Sequence, residues 1–263
     1  MIASLGMYDP PWLRGANDTL WQAIVARLHG IGEVPAFLTR DRPLDAMWTA
    51  PDLLLAQTCG YPLMTRLDVT VVATLIYDAP GCDGGWHRSA LIVRDDDRAQ
   101  TPADLFGRRA AINAHDSNTG MNLLRGTVAP AARNGRFFGD VIETGAHTRS
   151  LFAVIAGIAD CAAIDAVTLA LLRDRYRGID RRIRVLGWTA ATPGLPLITA
   201  THQSASVIAA LRTALAGIMI DPAVARARAA LRLTGMTVID RSTYAVVQEI
   251  EQQAITGGYP QLA

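Results

Sequence analysis

The chain has 263 residues, half of them hydrophobic, and a formal net charge of +1 with acids and bases mixed along its length. That length supplies core for one large domain or two modest ones, and the even charge excludes a nucleic-acid or other polyanion surface. The longest apolar region, Leu151 to Leu172, is interrupted by Gly157, Asp160 and Asp165, so no membrane span is expected.

Strands and helices are predicted to alternate almost throughout. Ile2–Met7 reads as a strand ending in Tyr8-Asp-Pro-Pro-Trp12. Asn17 or Asp18 is the expected cap of a helix whose inner face carries Leu20, Trp21, Ile24, Val25 and Leu28. Val34–Thr39 reads as a strand, Leu44–Trp48 as a short helix and Asp52–Thr58 as a strand running into the turn Cys59-Gly-Tyr-Pro62. Val69–Tyr77 is a long β-branched strand, and Ala79–Gly85 is the strongest loop signal in the chain. Strand Ser89–Arg94 and a helix start at Thr101-Pro-Ala-Asp104 follow.

Beyond Gly107, Ala110–Ile112 reads as a buried strand, Asn113–Asn118 as a polar turn, and Thr119, Gly120, Met121, Leu123 and Leu124 as the opening of a helix. Ser117, Asn118 and Thr119 therefore sit at a strand-to-helix junction. Free N–H groups and the positive end of the helix dipole point outward there, and Gly120 lets a ligand approach the backbone. The alternative is that Ser117 or Asn118 is simply an N-cap. A strand near Phe137–Glu143, helix Thr148–Ala156, strand Cys161–Ile164, helix Val167–Tyr176 and strand Ile183–Trp188 come next. A second break at Thr192–Pro196 precedes strand Leu197–Ala200, two helices within 204–232 divided near Asp221-Pro222, and a last helix Ser242–Ala254.

This alternation argues for α/β architecture with mixed, mostly parallel sheets flanked by helices. The two breaks suggest a discontinuous lobe 1 (1–87 plus 195–263) and a lobe 2 (88–194), joined by two crossings with a ligand cleft between them. Cys59 and Cys82 each follow a predicted strand; if those strands are parallel neighbours a disulfide can form, and otherwise both are thiols. No metal-ligand spacing, nucleophile elbow or phosphate loop is present, and all the basic side chains other than histidine are arginines, so neither metal nor cofactor nor catalytic residue is expected.

Four separated runs resemble one family in the same order: Gly6-Met-Tyr-Asp-Pro-Pro-Trp12, Gln57-Thr-Cys-Gly-Tyr-Pro62, Asp116-Ser-Asn-Thr-Gly-Met-Asn-Leu-Leu124 and Thr144-Gly-Ala-His-Thr-Arg-Ser-Leu151. They are similar to the phosphonate-binding substrate-binding proteins of ABC transporters. The resemblance implies a two-lobed type II periplasmic-binding-protein fold that captures a small oxyanion, such as a phosphonate, phosphate or related ester, by hinge closure. It makes Ser117, Asn118 and Thr119 the oxyanion cradle, next to the ligand-binding candidate Gly120, with Asn118 a departure from the hydroxyl-rich family pattern. It implies that His147 hydrogen-bonds the same oxyanion and that Tyr8 and Tyr61 touch the ligand. Asp165 is matched loosely to a carboxylate for a ligand amine and is equally readable as a helix cap. Among the remaining ligand-binding candidates, Gln57 and Thr58 at a strand end can hydrogen-bond the ligand or only the neighbouring loop, and Trp86 near a crossing can line the cleft or cover the hinge.

The implied partners are the small oxyanion and a transporter permease, with the chain acting as a monomer. Its compartment is expected to be periplasmic if an export signal was removed, and cytoplasmic otherwise. Two alternatives share the fold: a cytosolic enzyme acting on a small carboxylate, resembling those of menaquinone-precursor synthesis, with His147 as base, and a ligand-sensing protein without transport.

Overall fold

Runs of Leu, Val, Ile and Ala too short for helices set the strands. They are β1 (Ile2–Ser4), β2 (Leu53–Gln57), β3 (Val69–Tyr77), β4 (Cys82–Asp83), β5 (Trp86–His87), β6 (Ser89–Arg94), β7 (Arg109–Ile112), β8 (Asp140–Glu143), β9 (Cys161–Asp165), β10 (Ile183–Trp188), β11 (Thr192–Pro193), β12 (Pro196–Ala200) and β13 (Leu233–Thr237). The helices are α1 (Arg14–Val25), α2 (Leu44–Trp48), α3 (Gly60–Thr65), α4 (Leu123–Val128), α5 (His147–Ile155), α6 (Ala166–Arg175), α7 (Ala205–Ile220), α8 (Ala225–Ala230) and α9 (Ala245–Thr256). The structure is a computed structural model and describes residues 1–263.

The chain forms two units. Unit 1 comprises Met1–Asp78, Asp83–Gly85 and Pro193–Thr243, and unit 2 comprises Ala79–Cys82, Trp86–Thr192 and Tyr244–Ala263. Residues 244–263, expected in lobe 1, therefore pack in unit 2. The reason is polar as well as apolar: Asn122 on the loop side of α4 donates to the Val247 carbonyl, and Arg125 on α4 meets Glu251 on α9.

Unit 1 is built on a five-stranded sheet of order β1-β2-β12-β3-β13. β1 and β2 pair in parallel, whereas β12 runs antiparallel to both β2 and β3, and β13 antiparallel to β3. Leu53, Leu54 and Leu55 are almost wholly buried, as expected for a strand covered on both faces. Each such leucine contributes about 1.5–3 kcal/mol relative to an exposed one. Unit 2 is built on a second five-stranded sheet of order β10-β6-β9-β7-β8, in which β7 pairs in parallel with β8 and β9 while β6 is antiparallel to β9 and β10. A three-stranded sheet, β11-β5-β4, completes the set. The sheets are thus mixed, with antiparallel ladders more prominent than the sequence pattern suggested: β12 and β6 follow the two breaks, and each enters its sheet against the direction of its neighbours.

Other expectations are corrected. No disulfide forms; Cys59, Cys82 and Cys161 are all thiols. β12 is inserted between β2 and β3, so the strands preceding Cys59 and Cys82 are not neighbours. The helix expected to start at Asn17 begins a turn earlier, because Asn17 is buried and spends its amide on Tyr8 and Asp9. Segment 34–39 is not a strand: Pro35 lacks a donor, and the Pro35 and Ala36 carbonyls accept from Trp21 and Gln22 of α1 instead of from a neighbouring strand. No single helix is long and apolar enough to cross a membrane.

Candidate functional site

β7 is an alanine-rich strand buried beneath its neighbours, and the chain leaves it through Asn113 into a turn that ends at Ser117. Ser117 has extended backbone angles, and its Oγ accepts the Gly120 N–H at 3.0 Å, so it is the N-cap. The next bonds skip five residues: Asn122 N–H reaches the Ser117 carbonyl at 3.0 Å, and Leu123 N–H reaches that of Asn118. Asn118–Asn122 is therefore one turn of π-helix leading into α4. Such turns are rare and concentrate at functional sites. The cap and the anion site are compatible, since the remaining N–H groups of the first turn have no acceptor within the helix.

Gly120 is required by close packing. A Cβ there would sit 1.7 Å from Asn113 Oδ1, 2.9 Å from Asn113 Cγ and 3.0 Å from His147 Cε1. Asn113 Oδ1 is buried and makes no hydrogen bond. Thr119 Oγ1 meets His147 Nε2 at 2.9 Å, and Ser89 Oγ donates to the Thr119 carbonyl at 2.8 Å. His147 is the first residue of α5, with Ala146 as its cap. Part of the residue reaches the surface, but its Nδ1 is shut off from solvent and makes no hydrogen bond of good geometry.

Asn118 is committed internally. Its Nδ2 donates to Thr192 Oγ1 at 2.9 Å, and its Oδ1 accepts from Asn122 Nδ2 at 3.1 Å. Its side chain turns into the protein, so the amide is not presented as a donor, and only its backbone belongs to the outward turn.

Asp165 ends β9 and caps α6, its Oδ1 accepting the Thr168 N–H at 2.9 Å. It stands opposite Ser89 in the β6–β9 ladder. Its charge acts on two buried imidazoles, His147 and His87. Burial pulls both below the usual imidazole value, and the Asp165 charge opposes this; the Ala163 backbone opposes it further at His147. His87 is missed by sequence reasoning, which favours Trp86. Burial decides between them: Trp86 is 38% exposed and His87 is 1% exposed, two positions before the buried Ser89. The pattern His-x-Ser ahead of an apolar strand is the available signal.

The structure therefore brings Ser117, Thr119, Gly120, His147 and Asp165 together in unit 2 with Ser89 and His87, and leaves Trp86 on the outside. The candidates from the N-terminal part all lie in unit 1. Tyr8 is buried against Tyr77 in an edge-to-face pair with centroids 5.2 Å apart, and Gln57 Nε2 donates to the Tyr77 hydroxyl at 3.3 Å. Thr58 is fully buried, its N–H on the Pro196 carbonyl, and Tyr61 is half-buried on α3.

The comparisons decide the family. The family model described as the periplasmic substrate-binding protein of a phosphonate ABC transporter matches residues 51–244. The chain belongs to that phosphonate-binding family. It is a solute-binding protein of the transporter type, and the enzyme and sensor alternatives are not favoured. No curated protein matches the chain. Among solved structures, the binding component of a phosphonate ABC transporter from Pseudomonas aeruginosa is similar, with TM-score 0.73 and 17% identity over 95% of this chain and 86% of that one. A Xanthomonas citri protein bound to chloride ion gives TM-score 0.72 and 17% identity over 97% of both chains. The Prochlorococcus marinus protein PhnD1, in complex with methylphosphonate, gives TM-score 0.70 and 12% identity over 91% of this chain and 93% of that one. At these identities the likeness shows the shared mixed α/β fold of periplasmic binding proteins.

The histidine pair has a consequence for stability. Burial favours the neutral form of His87 and His147 in the fold, while in the unfolded chain each titrates near its ordinary 6.5. Below that pH the unfolded state binds more protons, so stability is intact above it and declines as pH falls through it. The carboxyls held low by hydrogen bonds, Asp104, Asp160 and Asp221, lose their contribution only in the acid range near and below 3.8. The melting temperature is expected to fall between about pH 7 and about pH 5, and the double variant His87→Gln/His147→Gln to flatten that fall. A wild-type melting temperature constant across this window contradicts the assignment.

Proposed function

We propose that the π-turn at Ser117–Gly120, together with His147, holds the oxyanion of a small phosphonate, phosphate or related ester, which the chain delivers to the permease of an ABC importer in the periplasm. The observation that carries this reading is the 2.9 Å contact between Thr119 Oγ1 and His147 Nε2 at a helix start with spare N–H groups. Backbone N–H groups and the Thr119 hydroxyl are preorganised donors that replace the hydration of an anion, and the imidazole joins them by taking up a proton as the anion binds. Support comes from the family itself and from the methylphosphonate carried by the Prochlorococcus relative of the same fold. In this reading Asn118 contributes its backbone alone. Asp165 favours ligands with a cationic group near the oxyanion, by the field it also exerts on the two histidines.

The test is a thermal-shift titration followed by calorimetry against inorganic phosphate, methylphosphonate, 2-aminoethylphosphonate, alkylsulfonates and aromatic carboxylates. A ligand that binds only the native state raises the melting temperature. A saturable rise with a phosphorus oxyanion is expected. A flat response to all of these, or a response to aromatic carboxylates alone, removes the reading.

A further inference from the structure

Behind the π-turn lies a chain of buried polar contacts that the anion-binding reading does not use. Glu251 on α9 pairs with Arg125 on α4, Oε1 to Nη2, at 2.9 Å, and the same Nη2 donates to Asn122 Oδ1 at 2.8 Å. Asn122 Nδ2 donates onward to Asn118 Oδ1 at 3.1 Å and to the Val247 carbonyl at 2.9 Å, and Asn118 Nδ2 ends the chain on Thr192 Oγ1 at 2.9 Å. Asn118, Asn122 and Arg125 are all at most 4% exposed.

The direction of these bonds is dictated from one end. A guanidinium has donors only, so Asn122 must turn its oxygen to Arg125 and its NH₂ to Asn118. Asn118 must then turn its oxygen inward and its NH₂ to Thr192. Flipping either amide sets donor against donor or acceptor against acceptor in a buried site, where the mismatch is costly. The ion pair is a poor device for stability alone: Arg125 Nε is buried without a partner, and an apolar pair of similar volume generally serves as well. Its effect is to fix which way two amides point directly under the first turn of the helix.

We propose that the Arg125–Glu251 pair is a positioning device for the anion cradle, with the C-terminal helix α9 acting as part of the binding apparatus through Asn122 and Asn118. The proposal rests on the reading of Ser117–Gly120 as that cradle. It is tested on the full chain with Arg125→Met, Glu251→Gln and Asn122→Asp. Asn122→Asp keeps an acceptor for Arg125 but sets a carboxylate oxygen against Asn118 Oδ1, so it disturbs the direction of the chain while retaining the pairing.

Amide hydrogen exchange by mass spectrometry and binding of methylphosphonate and inorganic phosphate are measured together. Exchange across 117–122 is expected to rise about tenfold in Arg125→Met and Asn122→Asp, with β7 and β9 unchanged, and Kd to rise about tenfold. Glu251→Gln retains an oxygen for Arg125, and its exchange across 117–122 is expected to stay within about threefold of the parent. If Arg125→Met does not fold, Asn122→Asp decides the question. Exchange at 117–122 in Arg125→Met or Asn122→Asp that stays at the parent level, or that rises only in step with β7 and β9, overturns the proposal. A parent chain that binds neither probe removes the functional reading instead, and the exchange result still decides whether the ion pair positions the turn.

Discussion

Gly120→Ala is expected to destabilise the protein by about 1–3 kcal/mol and to abolish anion binding. The ordinary effect of glycine to alanine inside a helix has the opposite sign, a gain of roughly 0.5–1 kcal/mol from backbone entropy and propensity. Sterics decide here. The new methyl meets Asn113 Oδ1 at 1.7 Å and Asn113 Cγ at 2.9 Å. Rotating the Asn113 amide about its own axis moves the oxygen but leaves the Cγ contact, so the whole side chain must leave its position. His147 Cε1, at 3.0 Å, closes the other direction. Repacking therefore displaces the side chains on both sides of the turn. Gly15→Ala on α1 is the control, since a Cβ there meets nothing within 4 Å. Chemical denaturation and calorimetry of the two variants check this. Equal stability in Gly120→Ala and the parent contradicts the close approach.

The legible part of the fold is the part written in periodicity. Nine residues from Val69 to Tyr77 can only be a strand, and the run from Ser204 to Ile220, apolar on its inner face with the serine as cap, can only be a helix. What escapes depends on partners distant in sequence. β13 contains Gly235 between threonine and methionine and has no periodic signature of its own; it is a strand because β3 offers it an edge. Segment 34–39 has the residues of a strand and is not one, because α1 claims its carbonyls. The last helix is legible as an element but not in its unit, because its side of the Arg125–Glu251 pair lies 126 residues from the other.

The same division holds at the candidate site. The strand-turn-helix junction at Ser117–Gly120 is visible as a change of pattern within a dozen residues, and His147 is visible through the run that surrounds it. The commitment of the Asn118 amide to Thr192 and Asn122 is not, since it depends on a residue 74 positions away. Nor is His87, whose burial follows from which face of a two-residue strand the sheet covers. Local chemistry can be read from a sequence; the assignment of hydrogen-bond partners to a buried amide requires the packing.

Thr119→Val is expected to weaken phosphonate or phosphate binding roughly 10- to 100-fold while leaving the fold intact. Valine matches threonine in shape, and the bond from Ser89 Oγ to the Thr119 carbonyl is untouched, so the backbone of the turn stays in place. What is removed is the hydroxyl that meets His147 Nε2 at 2.9 Å. Burial pulls the pKa of the folded histidine down, which favours the neutral ring. In the neutral tautomer with the ring proton on Nδ1, Nε2 accepts and the Thr119 hydroxyl donates. In the proposed binding mode, an anion that attracts the same hydroxyl hydrogen leaves Nε2 to take up a proton and donate in turn, so the hydroxyl and the imidazole would reach the anion as one unit. Deleting the hydroxyl removes a ligand donor and strands the imidazole nitrogen in the same step, which is why the loss exceeds that of one ordinary hydrogen bond. Thr119→Ser retains the oxygen and is expected to bind within about threefold of the parent, the difference being packing of one methyl. Calorimetry in two buffers of different ionisation enthalpy reads both affinity and proton uptake. Proton uptake on binding is expected in the parent and in Thr119→Ser, and its persistence in Thr119→Val at unchanged affinity would place the anion elsewhere.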